Sequence, residues 1–284
     1  MSARRPVRRP GPLVLAGLLV SLALSLLAAL TPGSSAAFTA RVSNSTDTAA
    51  AAPYFTCAAS ATGSTPRPWV DYPLQDALAL ATAVDVSGNN RTGTYVGLPT
   101  HSGSTACARD SGGSTSFNGS SSWVRSPSFG TAPGTFSLEI WFRTSTAGGL
   151  LIGFNNAALT AGTSYDRLVY LNTSGKLVFA VQPSAYVTVT SPASYTDGSW
   201  HLVAATFGTN GLDLYVDGVA VANNPSTAAP RSYSGYWRMG YSNLDAFTDE
   251  GSQYFTGQLS YAAVYTSALT AAQVAQHYAA GRAV

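Results

Sequence analysis

Few side chains in this sequence could break a bond. Hydrolysis of a glycoside uses two carboxylates held roughly 5–5.5 Å or 6.5–9.5 Å apart. The chain has only two glutamates, Glu139 and Glu250, 111 positions apart. Glu139, in SLEIWF, has Trp141 at i+2 and Arg143 at i+4 and so has no acidic companion on its own strand. In LDLYVDGVAV (212–221), Asp217 and Gly218 supply the two positive-φ positions of a type I′ hairpin turn, while Asp213 points to solvent. Both aspartates read as structure, and no motif supports an aspartate pair. His101, His201 and His277 are scattered, and no Gly-x-Ser-x-Gly elbow is present, so no triad is indicated. His201 falls on a core strand and His277 beside the apolar face of a helix, where packing roles are expected. These residues predict a protein that is not an enzyme.

The other reactive pair is Cys57 and Cys107, the only cysteines. In an exported chain an even count favours a disulfide, with two buried thiols as the alternative. Their spacing, with no histidine pair nearby, does not suit zinc. Export is predicted from the N-terminus. MSARRPVRRPGP is basic, Leu13 to Leu30 carries no charge, and Ser34 to Ala37 are small. Residues 1–37 therefore read as a signal peptide. The 18-residue run is about 27 Å long as a helix at roughly 1.5 Å per residue, so a retained anchor is the alternative. In that case the N-terminal segment is the chain's one expected membrane contact. Four of the basic residues precede the run; without them 11 basic residues face 13 acidic ones, a formal charge of −2. No basic stripe remains, which excludes nucleic acid as a partner.

Only 10% of the residues are charged, so Ser, Thr, Gly, Asn and Tyr must cover much of the surface. Residues 38–66 are rich in Ala, Ser and Thr and read as a linker or a loosely attached strand. From 67 to 284 the pattern is strand after strand. FSLEIWFR (136–143) puts Phe136, Leu138, Ile140 and Phe142 on one face and Ser137, Glu139, Trp141 and Arg143 on the other. RLVYLNTSGKLVFAV (167–181) is a hairpin, WHLVAATF (200–207) a largely buried strand, and GYWRMGY and GQLSYAAVY supply two more. One helix is predicted at the C-terminal end, in LTAAQVAQHYAAG (269–281). Thr270 and Gln273 form a capping box, Leu269 and Val274 a staple, and Gly281 stops it. Ala271, Val274 and Tyr278 share the face expected to lie on the sheets.

Five segments, in order, are similar to the laminin-G-like jelly-roll family of the concanavalin A-like lectins and glucanases. They are YPLQDALALATAVDVSGNNRTGTYVG (72–97), SFNGSSSWV (116–124), FSLEIWFR, DGSWHLVAATFGTNGLDLYVDGVAV (197–221) and FTGQLSYAAVYTSALTAAQVAQHY (255–278). The resemblance implies an all-β sandwich of two antiparallel sheets with one short C-terminal helix, preceded here by the signal or anchor helix. The glucanase pattern Glu-x-Asp-x-x-Glu is absent. Members that bind calcium use oxygens of the turn that here holds Asp85 and Asn90, plus an acidic residue where this chain has Ser260 and Tyr261. That departure weakens a calcium site, and a turn bonded to its own backbone is the alternative reading. No other cofactor is implied. Binding is the expected activity. Tyr165, Tyr186, Tyr195, Tyr233, Tyr236 and Trp237, in or beside predicted polar loops, are either an exposed aromatic platform or core packing. The expectation is an extracellular or cell-surface module for recognition or adhesion, with a glycan or protein as its partner. A structural surface component without a ligand, and a hydrolase of the same fold, are the alternatives.

Overall fold

The computed structural model describes residue 54 and residues 56–77, 81–247 and 249–282; the expected leader and most of 38–66 lie outside them. No helix among the described residues is long and apolar enough to cross a membrane. The elements begin with α1 (Cys57–Gly63), β1 (Val70–Tyr72), β2 (Thr82–Ala83), β3 (Gly93–Val96), β4 (Thr100–Ser102), β5 (Ser114–Asn118) and β6 (Trp123–Arg125). Longer strands follow: β7 (Phe136–Arg143), β8 (Leu150–Asn155), β9 (Tyr165–Leu171), β10 (Lys176–Val181), β11 (Val187–Ser194) and β12 (Trp200–Gly208). The rest are β13 (Gly211–Val216), β14 (Val219–Asn224), β15 (Tyr236–Met239), β16 (Thr256–Tyr265) and α2 (Ala271–Arg282).

They form two eight-stranded antiparallel sheets, a jelly-roll sandwich. The first runs β14-β13-β12-β7-β16-β5-β4, with β1 also on β16; the second runs β11-β10-β9-β8-β15-β6-β3-β2. β16 holds both β5 and β1 because its register shifts between Ser260 and Ala263, where Tyr261 takes φ 48°. Between the sheets lie Phe136, Leu138, Ile140 and Phe142 of β7, which meet Phe154, Phe179, Trp237 and Met239 of the second sheet. Each such side chain contributes about 1.5–3 kcal/mol by leaving water.

The other face of β7 departs from the alternating expectation, for Ser137, Glu139 and Trp141 are buried as well. The cause is a second layer. The expected linker ends in α1, a helix capped by Thr56, which carries Cys57 into a cluster with Cys107, Trp141, Leu202 and Tyr261. The Cys57–Cys107 disulfide is formed. Small side chains let α1 lie close to its neighbours, so residues 57–63 pack as a helix where a linker or loosely attached strand is expected. α2 lies beside it, and the capping box is in place: Thr270 N donates to Gln273 Oε1 at 2.8 Å and Gln273 N to Thr270 Oγ1 at 3.3 Å. Leu269 and Val274 share one apolar cluster, as a staple should. Gly281, however, does not stop the helix. It is buried inside the last turn, where a Cβ would strike the Trp141 ring and approach Cys57 Sγ to 3.0 Å. The buried face is Val274, His277, Ala280 and Gly281, and Ala271 is exposed. The Asp217–Gly218 turn, at φ 52° and 80°, lies beneath this helix, with Ala275 Cα only 3.2 Å from where a Gly218 Cβ would be.

Candidate functional site

The two helices cover only part of the outer face of the first sheet. The uncovered end is crossed by one row of directly paired residues: Thr100 of β4, Ser116 of β5, Gln258 of β16, Arg143 of β7 and Trp200 of β12. Side chains paired across neighbouring strands stand on one face, about 4.5–5.5 Å apart at Cβ, so the row is a polar shelf ending in an indole. Ser104 fixes its far end: its Oγ accepts from Arg143 Nη1 at 3.0 Å and from Trp200 Nε1 at 3.1 Å. Arg143 Nε also donates to the Gly198 carbonyl at 2.6 Å. Arg143 is exposed and Trp200 half-buried.

Hollows open on both sides of Arg143. One, of about 440 Å³, is bordered by Ser116, Arg143, Thr144, Thr146, Thr256 and Gln258. The other, of about 530 Å³, is bordered by Thr105, Ala106, Arg143, Ser199, Trp200 and Arg282. Both are in the size range of small-molecule sites. Hydroxyls, an amide, a guanidinium and one flat ring can hold a polyhydroxylated ring edge-on and face-on. Among the described residues no acid stands in either wall to act on it.

The carboxylates sit elsewhere. Glu139 is buried beneath the helices with Oε2 at 2.8 Å from His277 Nδ1. Asp71 lies on the same sheet face, two strands away across Ala263, and neither of its oxygens has a hydrogen-bond partner among the described residues. Burial, with Asp85 and Glu139 nearby, raises the Asp71 carboxyl well above the usual carboxylate range. Burial pulls His277 down, but the charge of Glu139 and its hydrogen bond push it up by more, and it ends above its ordinary value. His201, read as a packing residue, is only half-buried. Its Nδ1 meets Asp217 Oδ2 at 2.8 Å and its Nε2 meets Asp197 Oδ1 at 3.2 Å.

None of the six aromatics expected as a platform borders the shelf. Trp237 is fully buried in the core, contrary to its placing near a loop: in YWRM, Trp237 and Met239 alternate inward on β15. Tyr233 packs on that core and donates to Asp166 Oδ1 at 2.9 Å. Tyr195 stands edge-on to His201, and Tyr236 lies under Arg125. Tyr165 and Tyr186 gather around Phe247 outside the second sheet, with Tyr186 4.3 Å from Phe247 between ring centres. The calcium turn does not fit the ion. Asp85 Oδ1 accepts from the backbone N–H groups of Asp71 and Ser87, and its Oδ2 from Arg91 N and Ser87 Oγ. Asn90 is exposed at φ 56°, and Ser260 Oγ donates to the Pro73 carbonyl. What the sequence missed are Thr100, Ser116, Gln258, Trp200 and Ser104; the outward phase of Arg143 on β7 was the one available signal.

Comparison with known proteins fits this architecture. The family model described as the concanavalin A-like lectin/glucanases superfamily matches residues 117–275. No curated protein matches the chain. Domain 4 of AbnA, a GH43 extracellular arabinanase from Geobacillus stearothermophilus, solved with arabinotriose, superposes with a TM-score of 0.51 at 15% identity, covering 74% of this chain and 97% of that one. The binding domain of botulinum neurotoxin serotype G gives 0.54 at 10% identity, covering 75% and 50%. That of Paraclostridial Mosquitocidal Protein 1 gives 0.51 at 14%, covering 74% and 51%. The chain spans about half the length of these two toxin domains. At such identities the likeness concerns the fold. The family match covers more than half of the sequence, and on that ground the chain belongs to the laminin-G-like branch of the concanavalin A-like lectin/glucanases superfamily.

Proposed function

We propose that this chain is an exported, non-catalytic module that binds extracellular carbohydrate on the open end of its first sheet. The observation that carries the reading is the row Thr100–Ser116–Gln258–Arg143–Trp200, left uncovered between two hollows. Arabinotriose in the complex of the AbnA domain supports a saccharide as the class of ligand. The basic and apolar leader and the disulfide support an oxidising destination outside the cell. Glu139, closed beneath two helices and bonded to His277, supports recognition without hydrolysis.

A glycan array probed with the secreted protein tests the reading. Saturable binding to at least one glycan is expected, with Trp200→Ala lowering affinity by about tenfold, the worth of one stacked aromatic. Binding by the wild type that Trp200→Ala leaves unchanged would move the site elsewhere. A blank array would overturn the reading in favour of a structural surface component, and release of reducing ends would restore a hydrolase.

A further inference from the structure

The shelf has a sign as well as a shape. Arg143 stands in the walls of both hollows and Arg282 in the second, and among the described residues neither hollow is bordered by an aspartate or glutamate. In a chain with only 10% charged residues, one guanidinium on the shelf and a second in the wall of the hollow beside it are a local concentration. The acids nearest in sequence are engaged. Asp197 Oδ1 accepts from Ser199 N at 2.7 Å and meets His201, and Asp110 Oδ2 accepts from Cys57 N at 2.9 Å.

Arg143 is also preset. Its bonds to Gly198 and Ser104 use two of its five N–H groups and hold the guanidinium plane, and among the described residues no carboxylate stands within ion-pair distance of it. A guanidinium fixed in this way presents a fork that fits a carboxylate with two parallel bonds, and less entropy is lost on binding than by a free side chain. A neutral sugar would leave that fork with weaker hydroxyl partners. Trp200, linked to the same Ser104 hydroxyl, sets the indole beside the fork, where the ring bearing the carboxylate or its neighbour can pack.

We propose that the shelf binds a sugar that carries a carboxylate, with Arg143 pairing with the acid and Trp200 packing on a ring. This rests on the carbohydrate-binding reading and names its ligand class. The fork is the specificity element and Ser104 its positioning residue.

Titration calorimetry on the full protein at 50 and 500 mM salt tests it. The probes are oligogalacturonate, its methyl ester, sialyllactose, neutral lactose and a sulfated galactan. Binding of oligogalacturonate or sialyllactose is expected, and which of the two binds identifies the source of the acid. The methyl ester should be weaker by about tenfold or more, in line with a hydrogen-bonded charge pair. Arg143→Gln should bring acid and ester to equal affinity, and Arg143→Lys should recover only part of the difference. Tyr186→Ala, outside the other sheet, should change nothing. Equal affinity of wild type for acid and ester, or tighter binding of the sulfated polymer, would overturn the carboxylate assignment while leaving carbohydrate binding intact. Binding of none of the five would overturn the assignment too, and a blank on the wider array as well would show that the underlying reading had failed with it.

Discussion

Asp71 is a fully buried carboxylate with no donor to either oxygen among the described residues, set beside Asp85 and near Glu139. Its folded-state pKa lies above the unfolded value of about 3.9. The native state therefore keeps a proton that the unfolded chain gives up, and stability falls as pH rises past about 4. His277 acts in the same direction. Its raised value contributes stability that is complete below about 6.5 and is lost as pH rises through the folded value. The protein is expected to melt at a higher temperature at pH 5 than at pH 8. Asp71→Asn, of equal shape and without the charge, should gain about 1–3 kcal/mol at pH 8 and almost nothing at pH 4, flattening the profile. Thermal unfolding followed by circular dichroism at pH 4, 6 and 8 measures both. A variant that runs parallel to wild type would show that Asp71 does not set the slope.

α2 shows what could be read locally and what could not. Its cap and staple were legible because Thr270, Gln273, Leu269 and Val274 are a few residues apart and meet one another. Its end was misjudged because Gly281 satisfies a tertiary demand, close approach to Trp141, that no local rule contains. Gly281→Ala decides between these demands. Alanine favours a helix by about 1 kcal/mol, whereas a methyl group forced against Trp141 and Cys57 costs about 1–3 kcal/mol. Net destabilisation is expected in urea unfolding, and a stabilised variant would mean that the last turn is loose. The strands of the sandwich were legible from alternation and from the Asp217–Gly218 turn. The shelf was not, because its five residues come from strands spread between positions 100 and 258 and meet only through register. Trp237 went the other way: GYWRMGY reads as a strand, but the polar, Gly- and Ser-rich residues beside it left an exposed platform open as well as core packing, and alternation within YWRM points Trp237 and Met239 inward.

At the scale of the molecule, the sandwich is partly covered on one side by α1 and α2, and α1 is held by the bond from Cys57 to Cys107 across 50 residues. A loop of that length is worth about 4 kcal/mol in the chain-entropy treatment. For a domain of this size, Cys57→Ser should lower the melting temperature by on the order of 10 °C, and Cys107→Ser by the same amount. Equal melting temperatures for wild type and variants in differential scanning calorimetry would mean that helix packing alone holds the layer. The same bond has a chemical consequence beyond stability. Ala106 and Ala108, on either side of Cys107, form part of the bank of the larger hollow. Opening that bond would therefore free one bank of the hollow on which the proposed ligand rests, and affinity for that ligand is expected to fall in Cys57→Ser along with the melting temperature.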